Sequence, residues 1–315
     1  MIEEKINADF DRAHHRAFMH DLAAILVRRR NDLIPYQEIR RRYSPEGESY
    51  RGFQTVPVAQ IVGSVDRFAD FNREFLPRHR FTAGRWKNVD RAYYTDIRLP
   101  PIQLYKVGDI YFVKDGNHRV SVARDRGVEF IDAEVIELHI RVPLSASMSA
   151  KELLLQVEYA EFLRRTNLDK IRPEHDIRPT SLGRYDDIWD DILEHQVWWS
   201  GELHRDVPIA EAVGRWYDEI YMAIIRVARE GRILLGFPGH SEADFYLWVM
   251  AHREDLREHH GQDLTPAASA KDYAKAVNRP RRLLGWLGNS VRRLPIVGRP
   301  NGDGRRPAAS KRSGD

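Results

Sequence analysis

The chain has 315 residues, 31% of them charged and 42% hydrophobic, no cysteine, and a formal net charge of +3. Without cysteine there is no disulfide scaffold, no thiolate zinc site and no thiol nucleophile. No apolar run approaches the roughly 18–20 residues of a membrane helix, and the opening residues MIEEKINADF carry charge where a signal peptide needs an apolar stretch, so the expected address is the cytoplasm.

Helical spacing of Phe18, Leu22, Ile25 and Leu26 predicts a helix over about 8–30. Arg28, Arg29 and Arg30 fall in its last turn, where cations suit the helix dipole. Residues 36–54 are polar and read as a loop, completing an N-terminal segment of 1–54. TVPVAQIV, from Thr55, has the β-branched content of a strand. Residues 66–76 read as a short helix stopped by Pro77. Residues 78–96 are polar and aromatic with no clear period. Residues 102–106 and 110–114 form two short strands around Gly108 and Asp109, a hairpin signature. NHRVSVARDRG then has helical character and ends at Gly127, which suits the position just past a helix. FIDAEVIEL alternates as a closing strand. This order predicts a small α/β domain over 55–140.

From Ser149 the pattern is helical. Ser149 and Glu152 make a capping box, and Ser241 with Asp244 another. Helices are expected over 151–165, 185–199, 209–230 and 241–259, giving an all-α domain at 149–275. The fold class is therefore α+β. Residues 276–315 hold ten Lys/Arg against two acids, a net +8, so residues 1–275 carry −5. That tail is expected to be largely disordered, and its charge suits nucleic acid, an anionic lipid surface or simple solvation.

The sharpest motif is KDGNHRV at 114–120, between an apolar strand and a helix. Glycine permits the tight turn and close approach of a ligand. The turn feeds a helix N-terminus, whose free N–H groups and dipole favour anions. His118 and Arg119 in the first turn oppose the dipole unless an anion is present, and both can contact phosphate. Asp115 suits a ribose hydroxyl, the imidazole or a metal. The plain alternative is an Asp-Gly turn, with Asn117 as cap and His118 and Arg119 facing water.

With its flanking strands this box resembles the ParB/sulfiredoxin-like domain. The carriers are VPVxxI at Val56–Ile61, LPPI at Leu99–Ile102, the hairpin, the DGNHR box and its helix, and I-x-A-x-V at Ile131–Val135. Together they cover about a quarter of the chain. The resemblance implies a site that holds ATP or CTP, with Mg²⁺. Asp115, Gly116, Asn117, His118 and Arg119 are then the phosphate and nucleotide residues. It implies a nucleotide-binding regulatory protein. DNA is a candidate partner, to be carried by the tail or the N-terminal Arg clusters, against which stand the acidic body and the lack of a helix-turn-helix pattern; a homodimer is allowed. The alternative is a small-molecule phosphotransferase on the same cradle, with Asp115, Asp66 and Glu74 as candidate bases. Asn117 stands where sulfiredoxin needs cysteine, which removes sulfinic-acid chemistry. Pro100 replaces ParB's glutamine. The helix 151–165 lacks ParB's Glu-Asn-x-x-Arg, having Glu152, Glu158 and Glu161 instead. These departures bear on the choice of CTP and on a clamp mechanism. Residues 185–261 resemble the C-terminal part of bacterial ParB-like proteins, which supplies no activity.

His195 lies on an apolar helix stripe and reads as a packed core histidine. Trp189, Trp198, Trp199, Trp216 and Trp248 read as packing bodies. His252, His259, His260 and Glu254, and His240 with Glu242 and Asp244, have the wrong intervals for a metal motif, so no metal site is assigned. An Arg119→Ala change is predicted to weaken nucleotide binding by about 1.5–3 kcal/mol.

Overall fold

In a computed structural model the described residues are 1–26, 31–45 and 47–277. Arg28–Arg30 and the tail from 278 lie outside them. The fold is mixed α/β: a six-stranded sheet in the order β1-β3-β5-β4-β6-β2, flanked by helices. The strands are β1 (Ile34–Pro35), β2 (Glu48–Pro57), β3 (Ile61–Ser64), β4 (Ile102–Val107), β5 (Ile110–Asp115) and β6 (Phe130–Leu138). β1, β3 and β5 run parallel; β4 pairs antiparallel with β5 and parallel with β6. The helices are α1 (Ile2–Leu26), α2 (Tyr36–Arg42), α3 (Ala83–Tyr94), α4 (Asn117–Asp125), α5 (Ala150–Thr166), α6 (Leu168–Ile171), α7 (Arg184–Leu203), α8 (Ile209–Arg215), α9 (Met222–Glu230), α10 (Glu242–His260) and α11 (Pro266–Val277).

Strand alternation gives the sheet two buried faces. On one, Val56, Ile102, Leu104, Val113 and Val135 pack against Phe71, Phe75 and the Val120 and Ala123 side of α4. Behind α4, Phe10 of α1 and Trp86 of α3 close a further apolar layer around Val122. On the other face, Val62, Phe112 and Leu138 join α2, α5 and the helices beyond in one continuous apolar cluster that reaches Tyr273. Sheet and C-terminal helices thus share a core.

Five expectations change. Residues 66–76 form turns and isolated bridges, not a helix. The Asn72 side chain accepts from the N–H groups of Glu74 and Leu76, both at 3.0 Å, and so competes with helical bonding. Residues 78–96 contain α3, whose buried face includes Asp90; a charged residue at a core position hides the period. The Arg126 guanidinium pairs with that carboxylate at 2.7 Å. Residues 36–54 are not a loop: they hold α2 and the start of β2. β2 pairs with β6 along its length while exposing most of its side chains, so its sequence is polar. TVPVAQIV is divided by a 3₁₀ turn at Val58–Gln60 between β2 and β3. The run 209–230 is helical but includes a π-helical segment, Trp216–Tyr221. The hairpin, α4, β6 and both capping boxes form where expected.

Candidate functional site

The parallel pairing of β3 with β5 sets Ser64 beside Val113, so the chain leaving β3 runs next to the end of β5. That end turns through Gly116 into α4. Gly116 has φ +109°, and a Cβ there would lie 2.4 Å from Ile102 Cγ2. Only glycine fits that conformation and that approach to β4. The Gly116 carbonyl accepts from the Val120 N–H at 3.0 Å, which starts the helix. No side chain caps α4, so its first N–H groups have no partner within the helix.

Asn117 is buried and leaves its Oδ1 without a hydrogen-bond partner; it lies within the helix and is not the cap. His118 Nδ1 is likewise buried and unpartnered. The ring sits edge-on to Phe71, with centroids 5.3 Å apart. Burial, then the positive charges of Arg67 and Arg85, push the imidazole down to about 4, against a weaker opposing pull from Asp70. His118 is therefore neutral near pH 7, in a net positive field.

Arg119 is committed elsewhere. Its guanidinium donates to the carbonyls of Pro100 and Pro101 and pairs with Asp115, with only 14% of its side chain exposed. It ties α4 to the segment that enters β4. The ammonium of Lys114 lies 5.6 Å from the Tyr105 ring centroid. Of the three candidate bases, Asp115 holds Arg119 and Glu74 faces His20 of α1 at 3.3 Å. Asp66 is exposed just beyond β3.

Arg67 and Arg85 complete the positive field, and no motif marks them. Arg67 lies in the turn after β3, bonded to Asp70 at 2.9 Å. Arg85 is an exposed residue of α3. Only the predicted entry of 66–96 into this neighbourhood could have pointed to them, and that stretch gives no period.

Among the helices, His195 is packed against Trp199 and paired with Asp191. Burial disfavours its charged form most strongly, but the hydrogen bonds to Asp191 and the negative charge of that carboxylate together outweigh it and raise its pKa. Asp191 also accepts from the Trp216 indole at 2.8 Å and from the Tyr246 hydroxyl. Trp199 and Trp216 are core, whereas Trp198 is 58% exposed, contrary to a packing role. His252 pairs with Asp272 and His259 with Asp255. Asp244 caps α10 and also binds the backbone and hydroxyl of Thr180.

No family model matches this chain, and no curated protein matches it. Among solved structures it is similar to the "C2221 form of Pnob8-like ParB-N domain", at 12% identity and a TM-score of 0.20, over 73% of this chain and 98% of that one.

Proposed function

We propose that this chain is a nucleotide-binding regulatory protein, and that the N-terminus of α4 takes the phosphates of a nucleoside triphosphate. One observation carries the reading. His118 leaves a buried ring nitrogen unpartnered at an uncapped helix N-terminus, within the field of Arg67 and Arg85. A bound phosphate would accept from the free N–H groups and from the imidazole, and would neutralise the arginines. Arg67 and Arg85 are assigned to the phosphate oxygens. Arg119 is assigned to holding Pro100, Pro101 and Asp115 so that the turn keeps its shape. The ParB/sulfiredoxin-like resemblance of the DGNHR box supports the same ligand class.

Titration calorimetry of the full chain with ATP and with CTP, each with and without Mg²⁺, tests this. Saturable binding is expected, and the Arg67→Ala/Arg85→Ala double variant should lose about 1.5–3 kcal/mol, the scale of a charged hydrogen bond. Absence of heat and of any melting shift with either nucleotide would overturn it. The phosphotransferase alternative is favoured by one feature: Asp66 is exposed beside the end of β5 and is not drawn into a pair as Asp115 and Glu74 are. Phosphorylated product from a metabolite mixture, lost in Asp66→Asn with nucleotide affinity kept, would select it. A DNA contact through the tail falls on residues outside the described ones.

A further inference from the structure

A cleft lies in the helical half, where the π-helical segment Trp216–Tyr221 interrupts the run from α8 to α9. It is about half open to solvent, with a volume of about 650 Å³, inside the roughly 300–1,000 Å³ of small-molecule sites. A π turn holds more residues than an α turn and is often found at functional sites. Here it lays Tyr217 and Tyr221 against each other, with ring centroids 5.6 Å apart and planes 20° from parallel. Both rings line the cavity, together with Met222. Tyr221 is 98% buried, and its hydroxyl has no hydrogen-bond partner. A buried hydroxyl left unpaired costs about 1–3 kcal/mol, so the site is incomplete as it stands.

The walls decide the sign of the ligand. Four carboxylates line the cavity, Glu174, Asp176, Asp218 and Glu242, against two guanidinium groups, Arg226 and Arg229. Asp218 is held by Arg172 from outside, and Glu242 accepts from Nε and Nη2 of Arg229, each at 2.7 Å. Glu174 and Asp176 are exposed at the rim, and Asp176 has only a long 3.9 Å contact with Arg178. Burial first, then the carboxylates of Glu242 and Asp176, raise the Tyr221 hydroxyl above its ordinary range, with Arg229 opposing. Burial and Glu174 likewise raise Tyr217. The cavity is therefore negative over an aromatic floor. No group of three His, Asp or Glu side chains among the described residues is arranged to hold a metal ion.

We propose that this cavity is a binding site for a small aliphatic amine. Its ammonium group donates to the Tyr221 oxygen and faces Glu174 and Asp176, and its methylene chain lies over Tyr217 and Met222. Tyrosine faces and carboxylates together favour such a cation over water.

The test is calorimetry of the full chain at low salt with putrescine and spermidine, and with butane-1,4-diol and succinate as neutral and anionic counterparts. The amines are expected to bind one per chain, more weakly as salt rises, and the counterparts not at all. Glu174→Gln/Asp176→Asn should weaken binding roughly ten-fold, and Tyr221→Phe roughly five- to ten-fold, the scale of one hydrogen bond. The Phe variant removes an unsatisfied group, so its ligand-free melting temperature should stay the same or rise. A loss of affinity with the fold intact identifies a contact to the ligand. No heat with either amine, equal binding of butane-1,4-diol or succinate, or unchanged affinity in Tyr221→Phe each overturns the proposal.

Discussion

His118 and Tyr221 both end in a buried polar atom without a partner, yet the charges around them have opposite sign. At the start of α4, Arg67 and Arg85 act on an imidazole that burial already keeps neutral. Beside the π segment, Glu242 and Asp176 act on a hydroxyl that burial already keeps protonated. The unpaired atom says that a partner is missing, and the surrounding charge says which kind. An anion suits the first place and a cation the second. The two also differ in how the backbone makes room. At Gly116 a left-handed glycine removes a side chain, whereas at 216–221 an expanded helical turn displaces several.

The comparison can be broken most forcefully at Gly116. Gly116→Ala places a methyl against Ile102 in a backbone conformation that alanine resists, and should cost about 2–4 kcal/mol by chemical denaturation. Phosphate binding should fall with it, while amine binding at the cleft beside Tyr221 stays unchanged. Asp191→Ala is the matching disturbance among the helices. It strips the Trp216 indole, the Tyr246 hydroxyl and His195 of a shared acceptor. A loss of about 2–3 kcal/mol is expected, and by NMR the His195 pKa should fall.

A pH series sharpens the α4 side. Well above pH 6.5 His118 is neutral in both folded and unfolded chains and contributes nothing. As pH falls from there, the unfolded chain takes up the proton first. Stability therefore declines until the folded imidazole titrates near about 4, and this part levels off below that. His118→Gln should remove that component of the pH profile. An anion that raises the His118 pKa must bind more tightly as pH drops, so ATP affinity at pH 5.5 should exceed that at pH 7.5 in the parent but not in the Gln variant. The smallest effect belongs to Tyr221→Phe without ligand, expected within about 0.5 kcal/mol of the parent or slightly stabilising.

Much of the site's frame was legible because it is local. The Gly108-Asp109 turn between alternating strands, the strand–glycine–helix order at 110–125 and the two Ser capping boxes each depend on residues within a few positions of one another. Asp115, Gly116, Asn117, His118 and Arg119 were placed correctly at a turn and helix start for the same reason. What those side chains do there was not legible. Arg119 is drawn to Pro100 and Pro101, nineteen and eighteen residues earlier, and nothing at 119 announces it. Asn72 and Asp90 mislead in the other direction. One polar side chain replaces helical bonds, and the other is buried because Arg126 comes to meet it.

By itself, the sequence determined the α+β class, the hairpin, the glycine turn into α4 and the capped starts of α5 and α10. Short-range sterics and nearby hydrogen bonds suffice for these. Only the tertiary structure decided that the charges of Arg67 and Arg85 act on His118, that Arg119 serves the loop before β4, and that the cleft beside Tyr221 gathers carboxylates from three separate segments. Electrostatic fields and buried polar pairs act through space between distant parts of the chain, so no local pattern of residues encodes them.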